Sequence, residues 1–353
     1  MTTMNARERM LAVIHHQPVD RIPTDIWATP EVWAKLRHHF GEKADIGAEL
    51  HLDSFGGVGP EYIGPATPPT AEGEAVDCWG IRTQRVPHEG GAYDEQNFYP
   101  LADAETIDDL RKYRWPQADW FDYSKMRADA AEQGKDRAVM CGYMAPFYYH
   151  NLLRGLEQSL IDPLTDPEFT HYLIGRISDF FHEHHRRMFE ACEGLIDVAQ
   201  VTDDLGSQSG PLIGLDLYKE FYAPHHKRLI DLCHQFGVKV FHHDDGSCRP
   251  FLPCWSRWGS TSSTRSSGPV REWTWGNSRP SSENGCASMA RSRISASCPS
   301  GRRPRSGPRC GIASILLLPT ARATSLPPAT TSRSTRPWKT SSPCTTKPGS
   351  TER

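Results

Sequence analysis

The amino-acid sequence changes character abruptly after Pro253, and this break limits what the chain can fold into. Up to Pro253 there are 24 lysines and arginines against 40 acidic residues, and beyond it there are 16 against 3. All sixteen histidines lie before the break. Ser, Arg, Thr and Pro fill 59 of the last hundred positions, a composition with too little apolar material to offset the entropy lost on folding. We therefore expect an ordered domain in residues 1–253 and a low-complexity tail in residues 254–353.

Several classes of protein are excluded by simple patterns. The longest apolar run, ILLL at 315–318, is far shorter than the roughly 20 residues that a membrane helix needs. The first ten residues carry three charges, and no long apolar stretch free of His follows them, so we expect no secretory signal. We therefore expect a cytoplasmic protein with reduced cysteines and no membrane partner.

Apolar spacing in residues 1–253 predicts an alternation of helices and strands. Helices are predicted at 5–15, 30–39, 146–161, 166–192 and 216–236, and strands at 21–27, 52–55, 138–142, 195–202 and 238–243. Residues 57–123 are predicted to form a long excursion over one face. Strands joined by such helices imply a parallel sheet, and the α/β class predicted is a (β/α)8 TIM barrel truncated to about five strands.

Polar clusters follow the predicted strands, where barrel enzymes place their chemistry. Strand alternation puts His243 and Asp245 on one side of the last strand, and His242 and Asp244 on the other. The first pair is either a divalent metal site or a hydrogen-bonded strand cap. Asp203 and Asp204 end the preceding strand as candidate catalytic residues, or else cap the following turn.

Other polar and aromatic residues carry weaker signals. Trp27, Tyr143, Gln208 and His242 are predicted to bind substrate, although Trp27 and Tyr143, with Phe147, Tyr148 and Tyr149, would look the same as ordinary core. His182, His184 and His185 are predicted to form a solvated helix face rather than a ligand set. Cys248 is predicted to pack rather than to act as a ligand or thiolate.

Four motifs in order resemble the uroporphyrinogen decarboxylase superfamily: DRIP at 20–23, DDLGSQ at 203–208, LYKEF at 217–221 and VFHHDDG at 240–246. The resemblance extends from about Met4 to Pro253 and implies a (β/α)8 barrel. One branch of that family decarboxylates uroporphyrinogen, in porphyrin biosynthesis, without a cofactor. The other comprises zinc-dependent methyltransferases that work with corrinoid proteins.

The two branches differ at positions that this sequence also has. The decarboxylases carry arginines after the first strand, whereas residues 22–29 contain none, which weighs against porphyrinogen decarboxylation. The methyltransferases end their fifth strand in His-x-Cys-Gly, which matches at His243 and Gly246, with Asp245 in the place of the cysteine. The resemblance thus implies metal-dependent methyl transfer with a zinc ion, a small-molecule or tetrapyrrole substrate, and a corrinoid (cobalamin) as methyl donor or on a partner protein.

The composition of residues 254–353 is explained best by translation in the wrong frame. The neighbouring frame forces Leu at Trp255 and Gly at Gly259, and it permits LLVEMGIDILNPIQ, a sixth strand. Later windows permit a seventh strand ending in HG and an eighth ending in APCHN. We predict a one-base shift after the Pro253 codon and expect the chain as it stands to be inactive. The alternative is a non-catalytic protein whose basic tail binds nucleic acid, which we expect to be weak because its charges are scattered.

Overall fold

The computed structural model describes residues 3–68, 70–88 and 91–260, together with the backbone of 261–265, 288–292 and 314–317. All of them fall in one compact unit, Met1–Ala321. The α-helices are α1 (Ala6–Ile14), α2 (Pro30–Phe40), α3 (Ile46–Glu49), α4 (Ile107–Lys112), α5 (Met126–Gln133), α6 (Pro146–Arg154), α7 (Leu156–Thr165), α8 (Pro167–Cys192), α9 (Leu215–Leu217), α10 (Ala223–Gln235) and α11 (Leu252–Arg257). The strands are β1 (Thr24–Trp27), β2 (Gly56–Val58), β3 (Glu61–Tyr62), β4 (Glu74–Val76), β5 (Arg82–His88), β6 (Gly91–Phe98), β7 (Phe121–Asp122), β8 (Val139–Met144), β9 (Val198–Val201), β10 (Lys239–Asp245), β11 (Ser260–Arg265), β12 (Ser288–Ser292) and β13 (Ser314–Leu317).

The main sheet has the order β1-β13-β12-β11-β10-β9-β8-β2. Parallel ladders join the neighbours β2, β8, β9, β10, β11 and β12, whereas β13 runs antiparallel to both β12 and β1. Long helices on the connections cover one face of the sheet, which confirms the predicted α/β barrel class. No ladder joins β1 to β2 in the described part of the chain, so the barrel is not closed.

The structure describes the first residues of the predicted tail, and they are not irregular. Helix α11 crosses the predicted break at Pro253, and Trp255 on it is fully buried. Strand β11 then continues the sheet, because it pairs in parallel with β10 over its whole length. The prediction of an irregular tail is therefore wrong for residues 254–265. Most of the tail (266–287, 293–313 and 318–353) lies outside the described residues, as does the predicted strand ending in APCHN.

The predicted elements of residues 1–253 are present, but they differ from the structure in bounds and in number. The helix predicted at 146–161 is two helices, because Gly155 has a φ of +85° and ends α6. The strand predicted at 52–55 forms a few residues later, as β2. The excursion at 57–123 contains its own antiparallel sheet, β4-β5-β6, and helix α5 after it was not predicted.

Buried apolar side chains form two layers on opposite faces of the parallel strands. Inside the sheet, Phe241 of β10 packs with Met10 and Val13 of α1. Outside it, Val240 of β10 packs with the large cluster that includes α8 and α10. Alternate residues of one strand therefore serve different layers, as strand geometry requires.

The DRIP motif holds the N-terminal segment to the sheet through ion pairs. Arg9 is buried, with its Nε 2.6 Å from Asp20 Oδ1 and its Nη1 2.5 Å from Asp53 Oδ1. Arg21 also pairs with Asp53, which accepts the backbone N–H of Thr24 at 2.9 Å. These bonds connect α1, β1 and the segment before β2, in the region where no ladder joins β1 to β2 among the described residues.

The described part of the chain bears on two predictions, about membrane helices and about the state of the cysteines. None of its helices is both long and apolar enough to cross a bilayer. Its cysteines are free thiols, as predicted: Cys78, Cys141, Cys192, Cys233, Cys248 and Cys254.

Candidate metal centre

The end of β10 presents two pairs of polar side chains to different environments. His243 and Asp245 follow Phe241 on the inner face and are partly exposed, with 15% and 34% of their side chains accessible. His242 and Asp244 lie on the outer face and are fully buried. The alternation predicted from the sequence is therefore confirmed.

Two glycines bring the loop after β9 against the loop after β10. A β-carbon on Gly206 would lie 2.4 Å from the carbonyl oxygen of Asp245, and one on Gly246 would lie 2.6 Å from the carbonyl carbon of Gly206. The backbones are thus in direct contact, and Ser247 N donates to Ser207 O at 2.8 Å. Larger residues at either glycine would separate the loops.

Asp204 reaches the inner-face pair because of this contact. His243 Nε2 lies 3.9 Å from Asp204 Oδ1 and 3.7 Å from Asp245 Oδ1, and Asp245 N donates to Asp204 Oδ1 at 3.2 Å. One ligand atom from each of the three residues lies within 4.8 Å of the others. The pair predicted from the sequence therefore has a third member, which was predicted in a catalytic role.

The donor set fits a divalent metal ion. Ligands that each lie roughly 2 Å from one ion stand about 3 to 4 Å from one another, which is the range of the two His243 distances. An imidazole nitrogen with two carboxylate oxygens suits zinc and somewhat harder ions, and the two carboxylates balance a double positive charge. Asp204 remains 41% exposed, so the cluster is open to solvent on one side.

Asp203 points away from this cluster and holds another helix. It is buried and accepts the backbone N–H groups of Phe147 at 3.0 Å and Tyr148 at 2.8 Å, in the first turn of α6. His226 Nε2 lies 3.2 Å from Asp203 Oδ2. The sequence also allowed a capping role for Asp203, at the turn that follows β9. Asp203 does act as a cap, but it caps α6, the helix that follows β8. Its predicted catalytic role stays a prediction.

The outer-face pair is part of the packing. Asp244 accepts the backbone N–H groups of Leu205 and Gly206 at 3.1 Å, and burial raises the pKa of its carboxyl group well above the usual range. His242 stacks on Trp255 with ring centroids 3.7 Å apart, and burial lowers its pKa. The structure therefore places His242, predicted to bind substrate, inside the helix layer rather than in the cleft.

The other predicted substrate residues lie around the mouth of the barrel, which is the opening at the carboxyl ends of the parallel strands. The Trp27 ring lies 5.4 Å from that of His243, and its Nε1 donates to Asp25 Oδ2 at 3.1 Å. Tyr143 is 37% exposed, and desolvation, followed by the charges of Asp203 and Asp204, raises its pKa. Gln208 is exposed in the loop after β9.

Two weaker predictions have clear outcomes. His185 is fully buried against Gly142, so the prediction of a solvated face is wrong for this residue. Its spacing from Phe181, Met188 and Cys192 along α8 is the helical signal that could have shown this. Cys248 is buried and its pKa is raised by burial, which agrees with the packing alternative.

Open parallel strands with helices on the outside and a polar cluster at the strand ends define an enzyme-like α/β barrel. Residues 77–264 match the family model described as "Uroporphyrinogen decarboxylase (URO-D)". The matched segment covers more than half of the chain, which therefore belongs to the URO-D family. The match ends shortly after the break at Pro253, and it begins well after Met4, where the motif resemblance starts.

Comparison with solved structures finds a methyltransferase from Methanosarcina mazei. It is 16% identical in sequence, covers 74% of this chain and 75% of its own, and has a TM-score of 0.44. The comparison with curated proteins gives no match.

Proposed function

We propose that this chain derives from a metal-dependent methyltransferase of the URO-D family and keeps its metal centre. The observation that supports the proposal most directly is the convergence of Asp204, His243 and Asp245 within 4.8 Å at the ends of β9 and β10. The expected ion is zinc, and the expected methyl donor is a corrinoid, free or on a partner protein.

A bound divalent ion at this position would lower the pKa of a methyl acceptor or polarise it. The residues of the chain would hold the ion and orient the substrate. His243 and the carboxylates of Asp204 and Asp245 would hold the ion, and the ring of Trp27 would limit rotation of the His243 imidazole. Tyr143, whose raised pKa keeps its hydroxyl protonated, would donate a hydrogen bond to a substrate at the mouth.

Metal binding is tested by calorimetric titration of the metal-free protein with zinc. We expect one site, and we expect Asp204→Asn, His243→Gln and Asp245→Asn each to weaken it at least tenfold, roughly the loss of one ligand's contribution. Asp216→Asn, at a fully exposed carboxylate on the surface, is the matched control and should bind as the wild type does. Equal affinity in all four variants would refute the site.

The reaction is tested separately, with a variant whose reading frame is restored after Pro253. We expect this variant, loaded with zinc, to transfer the methyl group of methylcobalamin to a thiol, and we expect the chain as it stands to be inactive. Incubation with uroporphyrinogen tests the decarboxylase alternative, and product formation there without metal would replace the methyltransferase proposal.

A further inference from the structure

The excursion between β2 and α5 contains a cavity of about 240 Å³ that is separate from the candidate metal centre. Its walls come from β3, the β4-β5-β6 sheet and the segment around Trp120. None of its lining residues belongs to the site described above. The excursion therefore offers a cavity of its own that is partly open to solvent.

Aromatic rings make up much of the wall and are held in place. Trp79 is 3% exposed and packs on Phe180, with ring centroids 5.1 Å apart, and on Tyr149 at 4.8 Å. The hydroxyl of Tyr113 donates to Trp79 O, and the hydroxyl of Tyr62 donates to Pro65 O at 2.8 Å. These hydroxyl groups are already bonded within the wall, so the rings present mainly apolar surface to the cavity.

Two guanidinium groups stand at the edge of this aromatic space. Arg82 Cζ lies 4.7 Å from the ring centroid of Phe98, and Arg114 Cζ lies 5.0 Å from that of Trp120. Within the described ranges, the ion pairs include neither arginine. Arg85, three residues along the same strand, instead pairs with Glu31 and Asp94 at 3.4 and 3.2 Å.

Among the described residues, neither arginine forms an ion pair with the acidic part of the wall. Asp77 is the carboxylate among the lining residues, and its Oδ1 accepts the backbone N–H groups of Trp79 and Ile81 at 2.9 and 3.0 Å. Burial raises the pKa of the Cys78 thiol to about 12, so that group is uncharged. The cavity thus combines flat apolar walls with two guanidinium groups whose N–H groups can donate hydrogen bonds to a ligand.

We propose that this cavity binds a small aromatic carboxylate, with its ring between the aromatic side chains and its carboxylate on Arg82 and Arg114. Guanidinium groups suit carboxylates because their N–H donors match the two oxygens. The volume is slightly below the roughly 300 to 1,000 Å³ of pockets for drug-sized ligands, which favours a single or fused ring with a short acid side chain.

The test is calorimetric titration of the full chain with indole-3-acetate, and with indole-3-acetamide as the uncharged analogue. We expect saturable binding of the acid and at least tenfold weaker binding of the amide, from the loss of charge-assisted hydrogen bonds. Arg82→Gln and Arg114→Gln should each weaken binding of the acid by about tenfold or more. Arg85→Gln, which removes a neighbouring cation outside the cavity, should leave the affinity within about twofold.

Two further variants fix the location. Val76→Trp, which fills the cavity and keeps both arginines, should abolish binding, and His243→Gln should leave it unchanged. No saturable binding up to about 5 mM, equal binding of the amide, or loss of binding in His243→Gln would each overturn the proposal. The result does not depend on whether the protein binds zinc, since the titrations are done with metal removed.

Discussion

The imidazole of His185 fills the space where a side chain at Gly142 would lie. A β-carbon on Gly142 would stand 2.2 Å from His185 Nε2, and Gly142 has a φ of +72°. We expect Gly142→Ala to lower the free energy of unfolding by about 3 kcal/mol or more, because the new methyl group displaces a buried ring and strains the backbone.

Gly175 in α8 provides the matched control, since a β-carbon there has nothing within 4 Å. Gly175→Ala should raise the free energy of unfolding by about 0.5 to 1 kcal/mol, the usual gain for alanine in a helix. Urea denaturation of both variants measures the difference. Similar stabilities for the two would show that His185 does not pack on Gly142.

The burial of His185 also predicts how stability depends on pH. Desolvation lowers its pKa from 6.5 to about 3, and the nearby His184 and His182 add to the shift. Between these values the unfolded chain binds a proton that the folded chain does not, so the free energy of unfolding falls as the pH falls. The contribution of one such group is at most about 1.4 kcal/mol per pH unit.

Urea denaturation between about pH 5 and pH 7 measures this slope. In His185→Gln the slope should be smaller than in the wild type by up to that amount. His38→Gln, at an exposed histidine of α2, should retain the wild-type slope. A wild-type slope in His185→Gln would contradict the prediction.

The contact between Gly206 and the loop after β10 predicts a selective effect on metal affinity. Gly206→Ala would place a methyl group 2.4 Å from Asp245 O and push Asp204 away from His243. We expect zinc affinity to fall at least tenfold while the far-ultraviolet circular dichroism stays native. Gly210→Ala, in the same loop with nothing within 4 Å, should bind zinc as the wild type does. Equal loss in both variants would point to general disruption of the loop.

The reading-frame hypothesis predicts the nucleotide sequence near the Pro253 codon. We expect one base to be missing there relative to related genes, so that its restoration replaces Trp255 by Leu and gives the sixth, seventh and eighth barrel strands an apolar sequence. Sequencing of the gene decides the point, and a stop codon in the neighbouring frame before the window for the eighth strand would refute it. The frame-restored variant should also unfold at a higher urea concentration, because its strands after β10 would have an apolar sequence in place of one rich in Ser, Thr and Arg.

The position of the site could be predicted from the sequence, but its complete membership could not. Alternation along VFHHDDG separates His243 and Asp245 from the buried pair without any knowledge of the fold. Asp204 lies about forty residues earlier in the chain, so only the pairing of β9 with β10 brings it to His243. The glycines at 206 and 246 were a usable signal, because such residues often mark a close approach of two backbones.

Residues that pack were harder to predict from type alone. Asp203 and Asp204 are adjacent and identical, yet one caps α6 and the other joins the candidate metal centre. Trp255 was assigned to an irregular tail from composition, which averages over many residues. It nevertheless donates from Nε1 to the hydroxyl of Tyr218 at 2.7 Å and covers His242. One local helix was enough to bury it.

Strand β10 carries the pattern His-x-Asp twice, once on each face. A slip of one residue in its pairing would turn His242 and Asp244 into the cleft and His243 and Asp245 into the helix layer. The cleft would then keep the same functional groups, but Leu205 and Gly206 would lose the carboxylate that holds their backbone N–H groups. The two pairs therefore have the same functional groups but different roles. The register of this strand depends on the buried pair, His242 and Asp244, which lies outside the cleft.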